Sequence, residues 1–139
     1  EVNSDIIKSS PKDWADLQGA AFKNAVSLAG DPRASNQAIL GVFAAGLSGG
    51  DSDPAKAGAA GLKFFSDLNK SGNLVPVIGK AASLAQGSTP VIVRWDYSAL
   101  ADRDSAVARG RDIEPEPVFL AELFTMMTAA IEARVEKSA

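Results

Sequence analysis

Short apolar runs alternate with longer amphipathic stretches along this chain of 139 residues. AVSLAG at residues 25–30 and PVIVRWD at residues 90–96 are brief, apolar and followed by turn or polar residues, which predicts two buried strands. LVPVIG at residues 74–79 contains a proline, which cannot donate to a sheet ladder. This third run therefore fits an edge strand or an extended loop.

Helical periodicity occupies the segments between these runs. Three helices are predicted, each with a capping residue at one end: residues 36–47 after Ser35 or Asn36, residues 54–70 after Asp53, and residues 80–86 before Gly87. Large apolar side chains mark the predicted buried faces of the first two, namely Ile39, Leu40, Phe43 and Leu47, then Leu62, Phe65 and Leu68. The small residues of AKAGAAG, at 55–61, predict close packing against another element. Strands alternating with helices predict an α/β fold, a short central sheet flanked by helices in three layers.

A further helix is predicted near the end of the chain. After a charged linker, DRDSAVARGRDIEPEP at 102–117, one stripe carries the apolar residues Leu120, Leu123, Phe124, Met127 and Ile131. Acidic residues lie off that stripe, which is typical of a long amphipathic helix.

Composition narrows the classes of function. The net charge is −3 and no basic run is present, which argues against nucleic acid as a partner. The chain contains no histidine and no cysteine, so a zinc site and a histidine-dependent triad are excluded. No apolar run approaches the roughly 20 residues of a membrane helix. No leader begins the sequence, so we expect any export signal to have been removed or never to have been present.

The turn AGDPRASNQ, between the first strand and its helix, is the first candidate site. Free N–H groups at a helix start, donors from Ser35 and Asn36, and the guanidinium of Arg33 would together form an anion cradle. Alternatively, Ser35 and Asn36 only cap the helix and Arg33 is solvated.

The second candidate is RWDY, at the end of the second strand. Trp95 and Tyr97 alternate along a strand and would share a face, with Asp96 on the other, an arrangement that suits a cationic or amino group. Alternatively, Trp95 packs on the core and Asp96 caps a following helix. Both candidates follow the carboxyl ends of strands, where open α/β sheets bind ligands.

No enzyme active site is predicted. The acidic pairs of the sequence lie in loops where nothing would raise a carboxyl pKa. GLSGGDSD, at 46–53, lacks the lysine of a phosphate-binding loop and follows a helix instead of a strand. We therefore predict no catalytic residue, no metal site and no cofactor.

Several of these segments together resemble a known family. KDWADLQGAAFKNAVSLAGDPRASNQAI and GLKFFSDLNKSGNLVPVIGKAASLAQGSTPVIVRWDYSAL resemble, in order, the second lobe of type II periplasmic solute-binding proteins of ABC importers, in the branch of iron, phosphonate and polyamine binders. The resemblance covers residues 12–104. It implies two α/β lobes that close on a small polar or anionic solute, an importer permease as partner, and a periplasmic location.

The resemblance also assigns the candidate residues to one surface. It implies that the cleft side of this lobe carries both clusters, that is Arg33, Ser35, Asn36, Trp95, Asp96 and Tyr97. We expect residues 1–104 to form the lobe, with the first lobe missing and binding correspondingly weak. Residues 105–139, which match nothing in the family by eye, are expected to form the linker and amphipathic helix, packing on the lobe or on a second copy in a homodimer. The alternative is a structural or self-associating fragment without a ligand.

Overall fold

The structure is a computed structural model that describes residues 1–49 and 53–107. Two short 3-10 helices come first, followed by the regular elements in the order β1 (Val26–Leu28), α1 (Asn36–Ser48), α2 (Pro54–Lys70), α3 (Ala81–Gln86), β2 (Val91–Val93) and α4 (Asp96–Val107). The 3-10 helices are Trp14–Gln18 and Ala20–Phe22. Both predicted strands and all three predicted helices between residues 36 and 86 are therefore present.

The sheet is short and parallel at its centre. Strand β1 pairs with β2 in the register Val26 to Val91 and Leu28 to Val93. On the outer side of β1, Leu74 forms a parallel bridge with Val26, so the proline-containing run is an edge segment as predicted. On the outer side of β2, Val2 forms an antiparallel bridge with Val91.

The two faces of this sheet are covered by different helices. Val26 and Val91 belong to a large apolar cluster that includes side chains of α1, α2 and the first 3-10 helix. Ile92, on the opposite face of the pleat, packs with Leu84 of α3 in a second cluster. Helices on both faces of a central sheet confirm the predicted three-layer α/β arrangement.

Helices α1 and α2 cross where both carry glycine. A Cβ at Gly46 would lie 1.9 Å from the carbonyl oxygen of Ala57, and one at Gly61 would lie 1.8 Å from that of Val42. Only glycine allows this approach of backbone to backbone. The close packing predicted from the small residues of α2 is thus confirmed.

This crossing corrects part of the predicted buried faces. Phe43 is 37% exposed and Leu62 is 60% exposed, so the prediction that both are buried was wrong. The contact runs along small residues, and the larger side chains beside it are turned outward. Leu47, Phe65 and Leu68 are buried as predicted, whereas Ile39 and Leu40 are half-buried.

Helix α4 corrects the predicted linker. It begins at Asp96 and continues to Val107, so the start of the charged segment, DRDSAV, is helical and α4 passes the proposed boundary at residue 104. The predicted amphipathic helix lies outside the described residues and stays a prediction. Among the helices of residues 1–49 and 53–107, none has the length and apolar character needed to cross a membrane.

Candidate functional site

The carboxyl ends of β1 and β2 lie at the same edge of the sheet. The strands are parallel and in direct register, so the loop after Leu28 and the segment after Val93 leave the sheet side by side. The pairing continues one residue further, because the Ala29 N–H donates to the Val93 carbonyl at 3.1 Å. The two clusters predicted from the sequence therefore start from adjacent points on one edge.

The amino-terminal end of α1 forms one part of this edge. Ser35 is the N-cap, and its hydroxyl oxygen accepts from the Ala38 N–H at 3.4 Å. Asn36 is the first residue of the helix and is exposed. Within the described residues, the backbone N–H groups of Asn36 and Gln37 make no hydrogen bond. Ser35 thus caps the helix, and two helix-end donors have no hydrogen-bond partner among the described residues.

Arg33 lies beside this helix end in a local ion pair. Its Nε lies 3.0 Å and its Nη2 2.6 Å from carboxylate oxygens of Asp31, and the Arg33 backbone N–H donates to the same carboxylate at 2.9 Å. These bonds lower the pKa of Asp31 to about 2. Both side chains face solvent, with Arg33 89% exposed. The guanidinium is therefore accessible, but its charge is shared with an acidic neighbour that the sequence reasoning overlooked.

Trp95 and Tyr97 form an aromatic pair at the β2 end of the edge. Their ring centroids are 5.1 Å apart and the rings are tilted by 49°. Trp95 is half-buried and Tyr97 is 58% exposed. The pair combines one anchored ring with one ring open to solvent, which suits contact with a flat or cationic group.

The reason given for this pairing was wrong, although the two rings do meet. Strand β2 ends at Val93, so Trp95 and Tyr97 do not alternate along a strand. Asp96 is instead the first residue of α4, and its carboxylate accepts from the Tyr97 N–H at 2.7 Å. An acidic side chain at a helix start is favourable, and here it matches the alternative in which Asp96 serves the helix.

Gln37 joins the two parts of the edge. Its side-chain oxygen accepts from the Trp95 N–H at 2.9 Å, and its side-chain nitrogen donates to the Ala29 carbonyl at 3.4 Å. The sequence analysis did not select Gln37. A glutamine in the first turn of a helix carries no pattern of its own, and only the fold shows that its partner is 58 residues away.

A small pocket lies beneath Trp95. Its volume is about 40 Å³, and its walls come from β2, from α1 and from the amino-terminal segment. Apolar side chains dominate the walls, including Trp14, Leu40 and Val93, with Gln37 and Arg94 among the polar exceptions. A cavity needs roughly 10–15 Å³ to hold one water molecule, so this pocket is large enough to admit water.

Charged side chains hold the amino-terminal segment next to this pocket. Arg94 pairs with Asp102 of α4 and lies 3.6 Å from the carboxylate of Glu1. Burial raises the pKa of Glu1 from 4.5 to about 7, although the amino-terminal charge and Arg94 act in the opposite direction. In the part of the chain that the structure describes, no cluster of acidic, histidine or cysteine side chains forms a metal site.

The α/β fold is the one expected for a binding-protein lobe, and comparison with known families identifies the class of protein. A family model for the bacterial extracellular solute-binding proteins matches residues 2–128, and the chain belongs to that family. The match extends past residue 104, where the resemblance noted in the sequence ends. The predicted family is thereby confirmed.

A solved structure supports the same fold. The chain resembles a periplasmic binding protein, P5PA, with a TM-score of 0.57 and 20% identity, over 75% of this chain and 32% of that one. The chain therefore spans about a third of the length of that protein. A comparison with curated proteins gave no match.

Proposed function

We propose that this chain forms one face of a solute cleft and binds a small polar or anionic solute at the shared carboxyl edge of β1 and β2. The contacts would come from Arg33, Ser35, Asn36, Trp95, Asp96 and Tyr97. One observation carries the proposal: two clusters more than 50 residues apart in the sequence are joined at one edge by the Gln37 to Trp95 hydrogen bond.

The chemistry of the edge favours an anionic group on the α1 side. Two unused helix-end N–H groups and the positive end of the helix dipole attract negative charge. Arg33 adds a cation, but an anion has to compete with Asp31 for it. The aromatic pair at the other end offers a stacking surface of Trp95 and Tyr97. A solute with a compact anionic end and a planar or cationic end would contact both the start of α1 and the aromatic pair.

A single face limits the affinity. Ligand sites commonly bury 70–90% of the ligand surface, and an open edge contacts only one side. Each loss of about 1.4 kcal/mol in binding free energy weakens binding tenfold. We therefore propose that tight binding requires a second lobe, with an ABC importer permease as the partner of the closed protein and the periplasm as its location. The permease partner and the periplasmic location rest on the family, whose members are extracellular binding proteins.

Titration followed by backbone amide NMR tests the proposal on the full chain. Inorganic phosphate, an aminophosphonate and a neutral sugar are added separately, and amide shifts are mapped on the structure. Phosphate or the aminophosphonate should move the amides of Asn36, Gln37 and the segment from Trp95 to Tyr97, with dissociation constants in the millimolar range. Shifts elsewhere, or none with any of the three, would contradict the proposal.

A matched pair of arginine variants separates the site from general charge effects. Arg33→Gln and Arg103→Gln each remove one charge, and Arg103, 41% exposed, also pairs with a nearby aspartate, Asp104. We expect Arg33→Gln to weaken the phosphate response several-fold and Arg103→Gln to leave it unchanged. Equal weakening by both variants would show that phosphate senses only net charge.

A further inference from the structure

Gln37 connects two backbone groups that the sheet leaves open. Trp95 lies between the end of β2 at Val93 and the start of α4 at Asp96. Its carbonyl accepts from the Ala99 N–H at 3.0 Å and so begins the bonding of α4. Its own N–H lies beyond the last residue of β2, and the side chain of Gln37 accepts that bond at 2.9 Å.

The same side chain reaches back to the first loop. The Gln37 amide nitrogen donates to the Ala29 carbonyl at 3.4 Å, and Gln37 is the second residue of α1, directly after the Ser35 cap. The half-buried carboxamide of Gln37, which belongs to α1, thus bonds both the loop after β1 and the residue just before α4. A leucine of similar size would leave both backbone groups without these bonds.

This link is not required to hold the sheet together. The backbone bond from Ala29 to Val93 already joins the two strands at their ends, and the β1–β2 register extends over three residue pairs below it. What the side chain adds is the placement of Trp95, the second residue after β2. The ring of Trp95 contacts that of Tyr97, and Trp95 is one of the residues that line the small pocket.

We infer that Gln37 is a positioning residue, which fixes Trp95 relative to the amino-terminal end of α1 and so makes one binding surface of two loops. The part of this inference that concerns solute binding rests on the proposed function. A solute bound at the edge would contact the α1 N–H groups and the aromatic pair at a spacing that Gln37 sets.

Hydrogen exchange of the Trp95 amide tests the placement without any ligand. Gln37→Leu removes both bonds, Gln37→Glu keeps an oxygen that accepts from Trp95, and Gln86→Leu places the same leucine at an exposed position of α3. We expect Gln37→Leu to speed exchange at Trp95 by about tenfold, as loss of one hydrogen bond allows. Gln37→Glu should stay within about threefold of the parent protein, a smaller effect because an acceptor remains. Gln86→Leu should have no effect.

Amides of β1 and β2 serve as the internal reference for folding. If Val26 and Val91 keep their protection in Gln37→Leu while Trp95 loses it, the change is local and supports the inference. Unchanged protection at Trp95 would overturn it, as would equal loss at all three amides in both Gln37 variants.

The phosphate titration separates this inference from the proposed function. In Gln37→Leu, phosphate should still shift the Asn36 amide but should shift Trp95 and Tyr97 at least threefold less. Full responses at Trp95 and Tyr97 in Gln37→Leu would overturn the inference even if phosphate binds. If none of the three solutes binds any of the proteins but Trp95 exchange changes as expected, the proposed function fails and the placement stands.

Discussion

Gly61 sets the distance between α1 and α2, so Gly61→Ala tests the packing that supports the site. A methyl group there would lie 1.8 Å from the Val42 carbonyl oxygen, which is backbone and cannot rotate away. Since ordinary contact begins near 3.4 Å, the two helices would have to separate by roughly 1.5 Å. Helix α1 would carry Ser35 and Gln37 with it.

The expected change in the free energy of unfolding is the sum of two opposing contributions. Overpacking typically destabilises by about 1–3 kcal/mol and sometimes by more. Replacing a mid-helix glycine by alanine contributes up to about 1 kcal/mol in the favourable direction. Because the clash is with backbone, we expect Gly61→Ala to lower the free energy of unfolding by about 1–3 kcal/mol net. The matched control is Gly58→Ala on the same helix, where a Cβ would lie 3.4 Å from the Phe43 ring, an ordinary contact.

Urea unfolding of both variants checks this prediction. Gly58→Ala is expected to be as stable as the parent protein or more stable by up to about 1 kcal/mol, since it gains helix propensity without a clash. Opposite signs for two alanines three residues apart would confirm that the helix contact is held at glycine distance. Gly61→Ala as stable as Gly58→Ala would refute the reasoning, because the helices would then not be as close as described.

Three further predictions concern burial, charge and association. Between pH 4.5 and about 7, the free energy of unfolding should fall by on the order of 2 kcal/mol as pH rises, because folded Glu1 holds its proton more tightly than the unfolded chain does. Urea unfolding midpoints measured across this range should show the fall, and Glu1→Gln should abolish it. Asn73→Ala should cost about 2–3 kcal/mol in a urea melt, since its buried amide bonds two carbonyls, whereas exposed Asn69→Ala should change little. If residues 118–131 pair with a second copy, sedimentation should show mass rising with concentration, and a strictly monomeric chain would contradict the homodimer.

The sequence predicted elements well where the signal is local. Apolar runs between turn residues gave both strands, and Asp53 followed by Pro54 gave the start of α2. Gly87 closes α3 with a φ of 83°, the left-handed geometry that favours glycine. These features depend on a few neighbouring residues, so no knowledge of the tertiary fold is needed to find them.

Side-chain placement failed where distant contacts decide it. Phe43 and Leu62 were expected inside because they are large and apolar, but the glycines at the helix crossing bring backbones together and leave these two side chains at the surface. Helical periodicity alone gives no weight to a stripe of small residues. The same limit explains why Gln37 was missed, since its side-chain hydrogen bonds reach residues distant from α1 in the fold or the sequence.

The sequence predicted that the two candidate clusters lie close together, but it did not predict their local geometry. The rule that ligands bind beyond the carboxyl ends of parallel strands selected both clusters, and the structure places them at one edge of the sheet, where solute binding stays a proposal. The pairing of Arg33 with Asp31 and the helical state of Tyr97 were not foreseen. Both depend on where the chain turns after a strand, which a pattern of alternation does not determine.

The antiparallel bridge from Val2 to Val91 also determines where the chain enters the lobe. Read backward from Val2, the backbone runs toward the carboxyl end of β2, and the Glu1 N–H group bonds the Ile92 carbonyl at 3.0 Å. A group joined to the amino group of Glu1 therefore lies at the edge of the sheet that carries Trp95, and not at the opposite edge. A fluorescent dye linked there through a short spacer would lie beside the proposed binding edge, and its emission should change if a solute binds there.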